Sequence, residues 1–155
     1  MNNPVASLVS DDKCLYLAGP RKTMALAMDK LATDDSPVVW EQKTSDGAQC
    51  PSPVVKDGLL FAISDVGTAY CLDAKTGEAL WRERLRKQHY ASPITIGDRV
   101  YFCNTSGLTI VVACDREYRK IAENDLGELT YASFAPVDGR LFIRTAESLY
   151  CVQEQ

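Results

Sequence analysis

The stretch Ser52–Arg82, SPVVKDGLLFAISDVGTAYCLDAKTGEALWR, reads as one complete four-stranded unit, and the rest of the chain reads as edited copies of it. A short apolar strand, Pro53 to Val55, turns at Lys56-Asp57-Gly58, a tight hairpin signal. The second strand, Leu59 to Ser64, is an apolar run bounded by turn residues. After Asp65-Val66-Gly67 a third strand, Thr68 to Leu72, ends at Asp73-Ala74-Lys75-Thr76-Gly77. There the Asp73 carboxylate can accept backbone N–H bonds across the turn and Gly77 can close it in the left-handed region. A fourth strand, Glu78 to Arg84, alternates Ala79, Trp81 and Glu83 against Leu80, Arg82 and Arg84. Its two faces are less distinct than those of a clean amphipathic strand.

Aligning second strands on their aromatic residue gives Tyr16, Phe61, Tyr101 and Phe142, at spacings 61−16 = 45, 101−61 = 40 and 142−101 = 41. Repeats of this length signal a propeller or another array. The preceding hairpins recur as Asp12-Lys13, Asp57-Gly58, Gly97-Asp98 and Asp138-Gly139, and the units open on Ser7, Ser52, Ser92 and Ser133. The expected blades are 1–49, 50–89, 90–130 and 131–155. Expected strands in the first are Val5–Val9, Cys14–Ala18, Thr23–Met28 and Val38–Lys43; in the third, Ala91–Ile96, Arg99–Asn104, Leu108–Ala113 and Lys120–Asn124. The last blade has only three, Ala132–Val137, Leu141–Thr145 and Ser148–Val152.

The segment Leu72-Asp73-Ala74-Lys75-Thr76-Gly77-Glu78-Ala79-Leu80-Trp81 resembles the LDAxTGxxLW signature of pyrroloquinoline-quinone-like (PQQ-like) propeller repeats. The likeness is strict in the second unit and looser elsewhere: the first keeps Trp40 but stretches its turn from Lys30 to Pro37, and the third has Ala122 at the Trp position. Residues 122–128 and 138–147 are similar to the closing blades of bacterial quinoprotein-like proteins, many of them exported scaffold or binding proteins. The resemblance implies an all-β propeller domain of four-stranded antiparallel blades and a periplasmic or extracellular home. The N-terminus, MNNPVASLV, lacks the basic and long apolar regions of a signal peptide, which leaves a cytoplasmic home or a trimmed exported piece as the alternatives.

Composition sets bounds on partners. In 155 residues, 46% hydrophobic and 25% charged, neither disorder nor a fibrous class is indicated. A net charge of −4 argues against nucleic acid, and the longest apolar runs, Ile110 to Cys114 among them, are far too short to span a bilayer. The six cysteines form no Cys-x-x-Cys pair, and Cys14, Cys71, Cys103 and Cys151 fall in strands, where they are expected as buried free thiols. The basic run Arg82, Arg84, Arg86 and Lys87, with Glu78 and Glu83 interspersed, reads as a solvated strand edge.

Closed propellers have four to eight blades, and the blades resemble those that close as rings of seven or eight. Four blades with the last one short therefore read as half a ring. A homodimer completing an eight-bladed ring is the expected assembly, ahead of a compact four-bladed monomer, because a two-fold partner covers both exposed ends.

No catalytic, cofactor-binding or metal-ligating set emerges. His89 is the sole histidine and no Gly-x-Ser-x-Gly elbow accompanies it. The acidic pairs Asp11-Asp12 and Asp34-Asp35 lack a third ligand at calcium-loop spacing. Quinone-dependent relatives hold calcium with carboxylate and amide side chains, some beside adjacent cysteines, and neither set can be carried onto this chain. The loops that gather at one mouth of a propeller carry a candidate binding rim of Gln49, His89, Tyr90, Asn104, Tyr131 and Arg144, suited to a protein or carbohydrate ligand. Tyr90, Tyr131 and Cys50 align with one another, each two residues before the recurring Ser. The expected function is a non-catalytic scaffold or binding module. The alternative is a fragment of a quinone-dependent dehydrogenase whose catalytic residues lie in another half.

Overall fold

The computed structural model describes residues 5–153. It contains four antiparallel sheets, each a simple meander in chain order. The first comprises β1 (Val9–Ser10), β2 (Cys14–Ala18), β3 (Lys22–Ala27) and β4 (Val38–Lys43). The second has β5 (Val54–Lys56), β6 (Leu59–Ile63), β7 (Thr68–Asp73) and β8 (Ala79–Arg84). The third has β9 (Ile94–Ile96), β10 (Arg99–Cys103), β11 (Leu108–Ala113) and β12 (Lys120–Asp125). The fourth has three strands, β13 (Ala135–Val137), β14 (Arg140–Arg144) and β15 (Leu149–Gln153). These are propeller blades, and the last one is three-stranded. In the stretched turn of the first blade, Met28–Lys30 forms a single 3₁₀ turn.

The opening strands are shorter than expected, for a physical reason. The leading serine of each of the first three blades directs its N–H sideways instead of along the sheet. Ser7 N–H donates to Ser52 Oγ (2.8 Å), Ser52 N–H to Ser92 Oγ (2.9 Å) and Ser92 N–H to Ser133 Oγ (2.9 Å). Pro53 and Pro93, which have no N–H to give a ladder, follow two of these serines. The serines thus form a relay joining all four blades along their innermost strands.

The outer edge is joined by tryptophan. Trp40 Nε1 donates to Ala74 O (2.8 Å) in the second blade, and Trp81 Nε1 donates to Asp115 O (3.1 Å) in the third. Both indoles are largely buried, at 8% and 9% exposure, with Trp40 against Tyr16 and Trp81 against Phe61 and Tyr118. The register explains how they are aimed. Ala25 faces Trp40 but Leu26 faces Val38, Cys71 faces Trp81 but Leu72 faces Ala79, and Val111 faces Ala122 but Val112 faces Lys120. One residue bulges out just before the Trp position in each of these blades, and a bulge redirects the side chain beside it. It also breaks the inward-outward alternation, which is why the fourth strand looks blurred in sequence.

The receiving turn is built to match. Asp73 Oδ1 accepts the Lys75 and Thr76 N–H groups (3.0 Å each), and Gly77 sits at φ 75°. A Cβ on Gly77 would lie 2.6 Å from Cδ2 and Cε3 of Trp40. Between blades the apolar core runs through Leu60, Ala62 and Leu72 on one face of the second sheet and through Phe61, Ile63 and Cys71 on the other.

The cysteines divide by blade position. All six are free, Cys71 and Cys103 are buried and Cys14 is half-buried, whereas Cys151 is exposed. That departs from the expected burial of Cys151, because no strand covers the outer edge of β15 among the described residues.

Truncating Trp40 or Trp81 to Ala removes a buried ring and its hydrogen bond, and urea unfolding should register a loss of about 3–5 kcal/mol for each. Gly77→Ala should cost more than Gly97→Ala. Both sites have positive φ, which costs an L-residue about 1–2 kcal/mol, but only a Cβ at 77 meets another ring, while the space around Gly97 is open. Equal losses would show that Trp40 does not pack where described.

Candidate functional site

The mouth of the array is assembled from the loops joining second to third strands and from the linkers that lead into each blade. The second linker is pinned on both sides: His89 N–H donates to Asp65 O (2.9 Å) in the blade it leaves, and Thr105 N–H donates to Gln88 O (2.9 Å) from the blade it enters. The third repeats this, with Thr130 N–H on Thr105 O (3.1 Å) and Thr130 Oγ1 donating to Arg144 O (2.7 Å). Repetition of this geometry brings Tyr90 and Tyr131, one blade apart, to the same height. Their rings lie 5.8 Å apart at 32°, with exposures of 37% and 61%.

Of the six rim residues expected from sequence, the structure brings this tyrosine pair together on the surface. Arg144 is exposed and Gln49 half-buried on the same mouth. Asn104 is buried, and its Oδ1 accepts from Ser106 N–H (2.9 Å), Ser106 Oγ (2.8 Å) and Leu108 N–H (3.2 Å). It holds its own loop instead of facing a ligand. His89 is 1% exposed, and its Nδ1 has no hydrogen-bond partner among the described residues. Burial pushes its imidazole down to about 4, against the raising effect of a hydrogen bond to the Lys87 backbone, while the nearby Arg84 guanidinium adds to the lowering. A neutral, enclosed imidazole belongs to the junction between blades, in line with Thr130, which is buried at the equivalent position.

One group on this face carries no signal along the sequence. Glu128 accepts from Thr145 Oγ1 (2.6 Å), Ser148 Oγ (3.1 Å) and Tyr150 OH (2.5 Å). These hydroxyl bonds, that of Thr145 foremost, hold its carboxyl below the ordinary range. The three donors come from the last blade, 17 to 22 residues downstream. Their convergence depends on how that blade docks, and only the paired turn residues Thr145 and Ser148 hint at it.

The larger cleft, about 820 Å³, lies away from this mouth, in the seam between the third and fourth blades. Tyr101 and Asn124 form one wall, and Phe134, Leu141 and Ile143 the other. On the outer strand of this seam Ala122 holds the position of the indole that closes the two preceding seams.

A quinone with its metal would need carboxylate and amide oxygens free to converge. Here Asp65 Oδ1 accepts Gln49 and Cys50 N–H (3.1 and 3.0 Å), Asn104 Oδ1 serves its loop and Glu128 holds three hydroxyls. Among the described residues no three His, Cys, Asp or Glu side chains come together. The donor set does not fit that group.

The fold and its tryptophan-docked repeats define a PQQ-like β-propeller protein. The family described as outer membrane protein assembly factor BamB matches residues 27–129, and the chain belongs to it. Among solved structures, BamB from Moraxella catarrhalis superimposes with a TM-score of 0.56 at 16% identity, over 100% of this chain and 59% of that one. A europium-containing methanol dehydrogenase matches at TM-score 0.61 and 14% identity, over 77% of this chain and 25% of its own. The quinohemoprotein alcohol dehydrogenase ADHIIG from Pseudomonas putida HK5 matches at 0.68 and 17%, over 88% and 27%. The chain thus spans little more than half of the first of these and about a quarter of the others. No curated protein matches it.

His89 predicts an acid limb in stability. Its folded-state pKa lies below the unfolded value near 6.5, so from about pH 6.5 down to about 4 the unfolded chain takes up a proton that the native chain refuses. Stability is fully present above that window and should fall by about 3 kcal/mol across it. His89→Met should flatten this limb in urea melts taken at pH 7, 5.5 and 4.5. An unchanged limb would show that His89 is not enclosed.

Proposed function

We propose that this chain is a non-catalytic propeller module that binds a protein or carbohydrate ligand across its mouth, with Tyr90 and Tyr131 as the central contacts. The observation that carries the reading is the tyrosine pair itself: two exposed rings in tilted contact in an otherwise polar rim, each an apolar face with a hydroxyl handle. Rigid aromatic surface of this kind is what hot spots are made of. Asp65, Asn104 and Glu128 support the reading from the other side, since their oxygens are occupied in shaping loops.

The proposed assembly is a ring of eight blades made by two copies. Among the described residues, Ser7 Oγ accepts nothing and the Ser133 N–H donates to nothing, so the two end blades offer the halves of one more serine junction. Work in the cell envelope is proposed from the family's description as an outer membrane assembly factor. No helix among the described residues is long and apolar enough to cross a membrane.

Thermal melting with pyrroloquinoline quinone and Ca²⁺ tests the non-catalytic reading. A ligand at a hundred times its Kd adds about 2.7 kcal/mol to the native state, a shift of several degrees for a chain of this size. No shift is expected, and a rise of that magnitude would overturn the reading in favour of a dehydrogenase fragment. Light scattering on a size-exclusion column should give twice the 17.1 kDa chain mass; a monomer would sink the two-chain ring.

A further inference from the structure

On the outer seam between the second and third blades, Arg84, Arg86 and Lys87 from the end of β8 and the linker face Lys120 of β12 across a groove of about 330 Å³. Its floor is apolar, formed by Leu108, Ile110 and Tyr118. The charge here runs against the chain, whose net charge is −4. Three cations elsewhere on the outer strands and turns are matched within the fold: Lys22 pairs with Glu41, Arg82 with Asp46 and Arg116 with Asp73. In the groove only Lys120 has a carboxylate, Glu123 at 3.1 Å. Arg84 contacts the neutral Thr68 hydroxyl (3.1 Å), and Arg86 and Lys87 have no carboxylate partner among the described residues.

The backbone adds an independent observation. Arg86 and Lys87 are consecutive left-handed residues, at φ 60° and 61°. Each such non-glycine residue is strained, and strain of this kind persists where the surrounding structure over-determines it and often marks sites with a task. The segment is held by Leu85 N–H on Gly67 O (2.8 Å), Thr105 N–H on Gln88 O and His89 N–H on Asp65 O. Asn or Gly would fit the same backbone at lower cost, and would leave the groove without two of its cations.

We propose that this groove is a docking site for an acidic peptide segment carrying one large apolar side chain, distinct from the tyrosine rim. The volume suits one aromatic or leucyl side chain on the Leu108–Ile110–Tyr118 floor, while flanking carboxylates meet Arg84, Arg86 and Lys87. Tyr118 is already braced edge-on against Trp81 (5.4 Å), so the floor is fixed before a ligand arrives and little ordering cost falls on the protein.

Fluorescence anisotropy with a fluorescein-labelled DEEFEED peptide tests the proposal on the whole chain. The double variant Arg86→Asn, Lys87→Asn, in which Asn keeps the left-handed backbone, should melt no lower than the parent and bind about tenfold more weakly. Replacing the peptide's Phe by Ser should weaken binding by a similar factor, and raising the salt should weaken it further. Tyr131→Ala should leave the affinity unchanged, whatever becomes of the mouth. Equal binding by parent and double variant, indifference to the Phe, or loss on Tyr131→Ala would each overturn the site.

Discussion

The contact on which the array depends is the tryptophan that the outer strand of each of the first two blades sends into the next blade. A four-stranded meander of this size has two apolar faces and cannot bury either alone, so its stability is a property of seams. Trp40 and Trp81 close those seams at the outer strands, and the indole N–H ties each ring to one backbone carbonyl of the next blade, Ala74 O and Asp115 O. Both hydrogen bonds join residues 34 positions apart, so the register of one seam is repeated in the next. The bulge before each Trp position, the Asp73 turn and the bare Cα of Gly77 are all conditions for that one contact.

The serine relay works at the opposite edge and with different physics. An N–H to hydroxyl bond between innermost strands adds little net stability on its own, typically about 1 kcal/mol. It nevertheless satisfies a backbone donor that proline prevents the sheet from using regularly, and it fixes the height of one blade against the next. Tryptophan outside and serine inside fix the first two seams, and at the third the serine bond sets the height of one mouth loop against the next. The tyrosines of successive blades are consequently presented as a pair, although nothing between residues 90 and 131 links them directly.

The repeat is legible in the sequence because turn chemistry is local. Asp-Gly hairpins, the Asp73-to-Gly77 turn and the aromatic of each second strand act within a few residues, and the four sheets form where those signals stand. Three features are hidden for a common reason, that they depend on packing between blades. The opening strands are clipped because their serine donors turn towards a neighbour 40 or more residues away. Leu80 bulges to aim Trp81, which blurs a pattern read along one strand. His89 has the sequence setting of a loop residue and is enclosed, because the linker runs between two loops and not over them. At the candidate site the alignment of Tyr90 with Tyr131 is visible in sequence and their contact is not. Asn104 and Glu128 exchange places: the expected surface amide is buried, and a carboxylate with no sequence signal stands at the centre of a hydroxyl cluster. The basic run after β8 reads as a solvated edge because its apolar floor comes from the third blade, beyond the reach of any local pattern.

The third seam shows the cost of losing the organising contact. Ala122 holds the Trp position, with the bulge before it and Tyr101 in the row where Tyr16 and Phe61 receive an indole. The geometry for a dock is therefore kept while the ring is missing, and the cleft of about 820 Å³ lies in that seam. Phe134 and Ile143 still bury the inner half, the serine relay continues through Ser133 and Glu128 binds three hydroxyls of the last blade, so that blade is held without an indole at its outer edge. Stability along the array should accordingly fall towards β15, whose side chains are mostly exposed. The two proposed surfaces sit on the firmly docked part: the groove proposed for an acidic peptide lies wholly on the seam that Trp81 closes, and Tyr90 belongs to the same seam. Only Tyr131 rides on the looser blade, where it completes the rim in tilted contact with a ring that is already fixed.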